Sequence, residues 1–134
     1  MKKVTLPLIV LLCLALFGCS KDAESNAFIT EFDAVTKDIT TKIDANPTAE
    51  GIDEAQKAFD AKKASLTEKW NDIKDAVSFQ VSADTKKKLE DSVANNTKAL
   101  IDVSTKHMTT LATDKEAGAK FQRLLEDYRS TFAT

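Results

Sequence analysis

Proline and glycine are scarce in this chain. Its 134 residues include two prolines and three glycines, and no proline follows Pro47. Because proline breaks a helix interior and glycine weakens it, this scarcity favours long uninterrupted helices. No run of alternating apolar and polar residues indicates a strand. The composition therefore predicts an all-α protein.

Histidine and cysteine are also scarce, with one histidine and two cysteines. A single histidine cannot complete the paired Glu-x-x-His motifs of a di-iron bundle. No Gly-x-Ser-x-Gly motif supplies a serine nucleophile for His107. Met108 lies beside His107, but adjacent helical residues point about 100° apart and no second axial ligand is available. We expect no enzyme activity, cofactor or metal, and keep haem or metal binding through His107 as a distant alternative.

No apolar run is long enough to cross a membrane. The longest covers the fourteen residues 4–17 and contains Pro7, whereas a spanning helix needs roughly 20 apolar residues. Lys2 and Lys3 precede this run, and a small residue and a cysteine follow it. This layout is typical of a secretory signal peptide. Two interpretations are open: a specialised signal in which the cysteine has a role, or an ordinary signal peptide with an incidental cysteine.

Residues 16–19, Leu-Phe-Gly-Cys, resemble the lipobox of bacterial lipoproteins, with Leu16 three positions before the cysteine and Gly18 immediately before it. The resemblance implies cleavage between Gly18 and Cys19, and attachment of a diacylglyceryl group and a further acyl chain, such as palmitate, to Cys19. Two or three acyl chains hold a protein at a membrane far more firmly than one. Ser20, in place of the aspartate of inner-membrane lipoproteins, implies the outer membrane by the same resemblance. Exposure on the periplasmic face or the cell surface stays open.

The chain divides into a signal peptide at 1–18, a lipidated Cys19 with a short polar tether at 19–26, and a helical domain at 27–134. After Lys2 and Lys3 are removed, the chain has seventeen basic and twenty-one acidic residues. The resulting net charge of about −4 argues against nucleic acid or an anionic membrane as the main partner.

Apolar residues at helical spacing predict two helices in the first half of the domain. Helix A covers 24–45, and helix B covers 48–78, with Asn46 as its cap and Pro47 at its first position. The inward positions of helix A are Phe28, Phe32, Val35, Ile39 and Ile43. Helix B has a heptad seam of Ile52, Phe59, Leu66 and Ile73, with Ala55, Trp70 and Val77 between them. We interpret Trp70 as a core residue.

The second half predicts one or two further helices. Helix C starts at the cap Ser82 and helix D at a capping box in 113–116, after a turn near 112–114. The inward residues are Leu89, Val93, Leu100, Val103 and Leu111 in helix C, and Phe121, Leu124, Leu125, Tyr128 and Phe132 in helix D. Asn96 and His107 share the helix C stripe, and we expect His107 to be partly buried, unpaired and uncharged. Because a spacing of seven residues continues from helix C into helix D, the alternative is that the two form one long bent helix.

These segments predict an antiparallel up-and-down bundle of three to four helices. We expect a membrane-anchored, non-enzymatic module that binds a protein partner. The alternative is an oligomeric spacer built on the heptad seams. The Cys-Ser start is loosely similar to the short major outer-membrane lipoproteins of enteric bacteria, although this chain is about twice as long and its last residue is not lysine. We interpret the only basic cluster, residues 86–88, as a solvated face rather than a binding site.

Overall fold

The computed structural model describes residues 20–132, which form five helices and no strand. The helices are α1 Asp22–Ala45, α2 Ala49–Ile73, α3 Ala83–Lys106, α4 Met108–Thr113 and α5 Lys115–Thr131. Four of them are long and run up and down in a bundle, and α4 is a short connector. The predicted all-α class and bundle architecture are confirmed.

Helix α1 is central to the packing. It lies against α2 on one side and α3 on the other, and α5 packs on α2. All five predicted inward residues of α1 are buried. The heptad residues Ile52, Phe59, Leu66 and Ile73 of α2 are at most 1% exposed. The seam of α2 is therefore filled by the chain's own helices.

The first turn of α1 corrects the predicted tether. Helix α1 begins at Asp22, and Ser25 is completely buried within it. Residues 22–26 therefore belong to the helical body. The acidic side chains among them, Asp22 and Glu24, lie in the first turn, where negative charge stabilises a helix. Among the residues of the predicted tether that the structure describes, only Ser20 and Lys21 precede the helix.

The predicted cap and the predicted last residue of α2 are both wrong. Thr48 caps the helix, accepting a hydrogen bond from the Gly51 N–H, so Pro47 precedes the helix and Asn46 does not cap it. A Cβ on Gly51 would lie 1.8 Å from the Asn46 carbonyl oxygen. Glycine therefore allows the start of α2 to fold tightly against the end of α1.

Helix α2 ends at Ile73, five residues earlier than the predicted residue 78. The chain continues through a turn in which the N–H groups of Ala76 and Val77 both donate to the Ile73 carbonyl, at 2.9 and 3.0 Å. Ala76 is buried and Val77 half-buried. The apolar pattern therefore continues past the last helical residue, which explains the error.

Two breaks separate α3 from α5. Ser82 caps α3 as predicted, with its hydroxyl 3.3 Å from the Thr85 N–H. The helix ends at Lys106, and α4 follows His107, a break that the sequence did not predict. The turn near 112–114 is present, so the alternative of a single bent helix is wrong.

Asp114, rather than the predicted capping box, starts α5. Its carboxylate accepts from the N–H groups of Glu116 and Ala117, both at 3.0 Å. A Cβ on Gly118 would lie 2.4 Å from the Leu111 carbonyl oxygen, so glycine lets α4 fold back closely on α5.

Across residues 20–132, every helix is either too short or too polar to cross a bilayer.

Candidate functional site

The predicted lipid-attachment residue Cys19 and the cleavage-site residue Gly18 lie outside the described residues, so their roles remain predictions. The residues that follow them are held in place. Ser20 and the backbone N–H of Ser82 both donate to the carboxylate of Asp22, each at 2.8 Å. The Ser82 N–H, with Ser20 second, lowers the pKa of Asp22 to about 2. The Lys21 N–H donates to the Gln80 carbonyl at 2.8 Å.

His107 lies at the opposite end of the bundle, between α3 and α4. Its side chain is 13% exposed, which agrees with the predicted partial burial, but the prediction that it is unpaired is wrong. Its Nε2 lies 2.7 Å from a carboxylate oxygen of Asp44 at the end of α1. Hydrogen bonds from Lys106 and then His107 lower the pKa of Asp44. The pair therefore joins the ends of α1 and α3.

The haem alternative gains no geometric support from these positions. The Nε2 of His107 is hydrogen bonded to Asp44, and Met108 is 63% exposed on the following helix. In the part of the chain that the structure describes, no three His, Cys, Asp or Glu residues are grouped to hold a metal ion.

The polar residue on the helix C stripe, Asn96, is 7% exposed and has a partner. Its Nδ2 donates to the Asp33 carboxylate at 2.7 Å and to the Ser92 hydroxyl at 3.2 Å. Ser92 donates to the same Asp33 oxygen. This cluster of three side chains joins α3 to α1 where apolar packing would otherwise be expected.

Lys86, Lys87 and Lys88 are exposed at the start of α3, and Lys87 forms an ion pair with Asp91 at 2.9 Å. Trp70 is half-buried against the core, with its ring 5.4 Å from that of Phe28. Its Nε1 is buried and has no hydrogen-bond partner within residues 20–132.

The clearest surface feature is an apolar cleft between α3 and α5, which we call the α3–α5 groove. Nowhere do the Cα atoms of these two helices approach within 8 Å of each other. Packed helices normally have axes about 8–10 Å apart, so that some of their Cα atoms lie within 8 Å of each other. The fourth side of the bundle is therefore open.

The groove consists of two adjoining pockets. One has a volume of about 210 Å³ and lies between the second half of α3 and α5. The other has a volume of about 270 Å³ and is also lined by Phe28 and Trp70. Both are lined by Thr97, Tyr128 and Arg129, so they form one continuous cleft.

The walls of the groove carry large apolar side chains in contact with solvent. On α3, Val93 is 45% exposed and Ile101 is 57% exposed. On α5, Leu125 is half-buried and Arg129 is exposed, and Phe132, directly after the helix, is half-buried. In the described part of the chain, Arg129 has no carboxylate within ion-pair distance.

The floor of the groove is fixed by Tyr128. Its hydroxyl lies 2.6 Å from that of Thr36 on α1, and burial raises its pKa well above the usual range. The ring stacks 5.7 Å from Phe32 and packs edge-on to Phe132 at 5.4 Å. The tyrosine therefore links α5 to α1 across the core through one hydrogen bond and an aromatic cluster.

Sequence reasoning missed this groove because it assigned Val93 to the core. Val93 keeps the helical spacing of Leu89 and Leu100, which are both buried. Spacing defines a face of α3 but not how much of that face is covered. The unused signal was Ile101, an isoleucine beside the stripe that widens the apolar face of α3.

The chain matches no protein-family model, no curated protein and no solved structure.

Proposed function

We propose that this protein is a lipid-anchored, non-enzymatic module of the bacterial cell envelope that binds a helical segment of a protein partner in the α3–α5 groove. The observation that carries the proposal is the open side of the bundle, where Val93 and Ile101 face solvent. Contiguous exposed apolar surface on a small protein is characteristic of an interaction site. The anchor is Cys19, and Ser20 after it supports an outer-membrane location by resemblance.

The shape of the groove supports a helix as its occupant. Both walls are helices, and within residues 20–132 there is no strand edge to which an extended peptide could pair. The groove residues of α3 run from Val93 to Thr105, a length of about 18 Å at 1.5 Å per residue. This matches an amphipathic helix of about three turns that presents apolar residues at spacings of three and four.

The open shape of the groove argues against a small-molecule site. Both pockets are clefts open along one side of the bundle, whereas typical ligand cavities enclose most of the ligand's surface.

The charge of the groove defines one further property of the partner. Arg129 lines both pockets. A carboxylate on the partner helix can form a bidentate pair with its guanidinium group. We therefore propose an amphipathic helix with an acidic side chain at the edge of its apolar face.

The oligomeric spacer is the second candidate, and the packing weighs against it. The spacer needs the heptad seam of α2 to pair with another chain. Ile52, Phe59, Leu66 and Ile73 are instead buried inside the bundle. A second copy of this chain could still use the groove, and the experiment below distinguishes that outcome.

The anchor is tested with Cys19→Ala. We expect the variant to incorporate no labelled palmitate, whether it stays unprocessed or becomes soluble. Incorporation equal to that of the wild type would contradict the lipoprotein assignment.

The groove is tested by placing a photocrosslinking amino acid at position 101 of the lipidated protein in intact cells. Position 57, exposed on α2 outside the groove, serves as the control. We expect a discrete adduct with another protein from position 101 only, mapping to a helical segment. An adduct between two copies would support the spacer, and equal labelling from both positions would contradict the groove.

Charge recognition is tested with Arg129→Glu against Arg123→Glu. Both arginines are exposed on α5, but only Arg129 lines the groove. Reversing Arg129 should lower the yield of the position 101 adduct several-fold, and reversing Arg123 should leave it unchanged. Equal yields from the two variants would show that the partner does not use the arginine.

A further inference from the structure

The end of the bundle where α1 begins carries the most exposed large apolar side chain of residues 20–132. Phe79 is 72% exposed, compared with 63% for Met108, which lies at the opposite end. Phe79 is not a groove residue, so partner binding in the groove does not account for it.

Phe79 is held outward by an ordered turn. The N–H groups of Phe79 and Gln80 both donate to the Ala76 carbonyl, at 3.1 and 2.7 Å. The Gln80 carbonyl in turn accepts from the Lys21 N–H at 2.8 Å. Because Ala76 is buried, these bonds connect the turn both to the core and to the start of α1.

The same hydrogen bond places Phe79 close to the proposed lipid. Lys21 lies two residues after Cys19, and each residue spans at most about 3.6 Å. Two residues span at most about 7 Å, so the described part of the chain brings the proposed attachment point to this end of the bundle. Only Ser20 and Lys21 separate Cys19 from α1, so no long tether lies between the proposed lipid and the turn that carries Phe79.

The charge of this end is balanced. Residues 20–24 and 72–88 contain five lysines and five carboxylates. Lys86, Lys87 and Lys88 are therefore offset, and one of them is paired with Asp91. Attraction to anionic lipid cannot be the main force between this end and a bilayer, because such attraction requires excess positive charge.

We propose that Phe79 inserts into the interfacial region of the same bilayer leaflet that holds Cys19, so that the bundle is attached at two points and its orientation is fixed. This inference rests on the lipid anchor proposed above. Aromatic rings are favoured at the boundary between headgroups and acyl chains. Insertion would also cover the most exposed apolar side chain of the described residues.

The experiment uses the full lipidated protein, extracted in detergent and reconstituted into phosphatidylcholine vesicles. Cys19 is blocked by its lipid and Cys13 is removed with the signal, so a cysteine introduced by Phe79→Cys is the single labelling site. Met108→Cys provides the matched control at the opposite end. Each carries an environment-sensitive fluorophore, and nitroxide lipids with the spin label near the headgroup act as quenchers.

We expect quenching and a blue-shifted emission at position 79, neither at position 108, and no dependence on added anionic lipid. A label at 79 that stays in water while the protein remains on the vesicles would overturn the inference and leave the anchor intact. Loss of the protein from the vesicles would instead contradict the anchor. A requirement for anionic lipid would assign the contact to the lysines and overturn the role of Phe79.

Discussion

The side of the bundle formed by α1 and α2 differs from the side formed by α3 and α5 in what fills it. Between α1 and α2, apolar side chains interlock from Ile52 to Ile73, and all four heptad residues are at most 1% exposed. Ion pairs border this contact, as between Glu31 and Lys69. Between α3 and α5, large apolar side chains also face each other, but the helices do not meet.

Helix α3 is held by different means. It packs only on α1 among the long helices, and part of that contact is the polar cluster of Asp33, Ser92 and Asn96. Polar clusters fix one geometry because each donor needs its acceptor. A closed apolar seam stabilises the fold, whereas a helix fixed at one edge can leave its other edge free for binding.

The largest expected effect separates the two sides directly. Leu66→Ala on the closed side should lower the free energy of unfolding by about 2–5 kcal/mol, because it leaves a cavity in the core. Ile101→Ala in the groove should change it by less than about 0.5 kcal/mol, because that side chain is already solvated. Urea unfolding followed by circular dichroism measures both. Equal losses would mean that the groove is closed in solution.

The polar cluster should have the next largest effect. Asp33→Ala removes the shared acceptor of Ser92 and Asn96, both of which are buried. Unsatisfied buried donors cost about 1–3 kcal/mol, and we expect a loss in that range. Adding Asn96→Leu should restore part of it, since no buried amide then lacks an acceptor. If Asp33→Ala is neutral, α3 is held by apolar packing alone.

Tyr128 connects the two sides, and its hydroxyl should contribute less. Tyr128→Phe removes the hydrogen bond to Thr36, whose hydroxyl keeps its bond to the Phe32 carbonyl at 3.0 Å. We expect a loss of about 0.5–1.5 kcal/mol. A double-mutant cycle with Thr36→Val isolates the pair, and a coupling energy near zero would contradict the contact.

The ion pairs at the border of the closed side should give the smallest effect, visible as a dependence on pH. Lys69 and then Ser65 lower the pKa of Glu31 below its usual 4.5. Ionised Glu31 therefore favours folding fully above pH 4.5, and this contribution is lost as the pH falls through the lower folded-state pKa. Glu31→Gln should flatten the loss of stability below pH 4.5. Asp75→Asn, a substitution at an exposed residue, is the control. An unchanged dependence of stability on pH in Glu31→Gln would contradict the ion pair with Lys69.

The sequence predicted the helices better than their ends, and the faces better than what covers them. Seven-residue spacing identified the α2 seam because all four apolar residues at that spacing are buried. The same spacing continues beyond Ile73 and across His107, so it could not reveal where the backbone hydrogen bonds stop. The cap Ser82 was predicted because its partner is a backbone N–H three residues later. The cap Thr48 was missed because Pro47 was assigned to the first helical position, and Asp114 was missed because the cap was placed one residue earlier.

The candidate site was less predictable for a related reason. The covering of Val93 depends on how far α5 lies from α3, which is set by contacts of α5 with α2 and by the corner at Gly118. The partners of Asn96 and His107 lie on α1, more than sixty residues away in sequence. No local pattern in a single sequence records such distances.

The direction of α3, which runs away from the end that holds Lys21, has a consequence for how a partner is found. Its groove residues begin ten positions after the helix start and end at Thr105, which places them about 15–33 Å along the helix from that end. If Cys19 is lipidated and the bundle stands on the bilayer, the groove samples only a thin layer at that height. A partner confined to the same layer meets it at a much higher effective concentration than one diffusing in three dimensions.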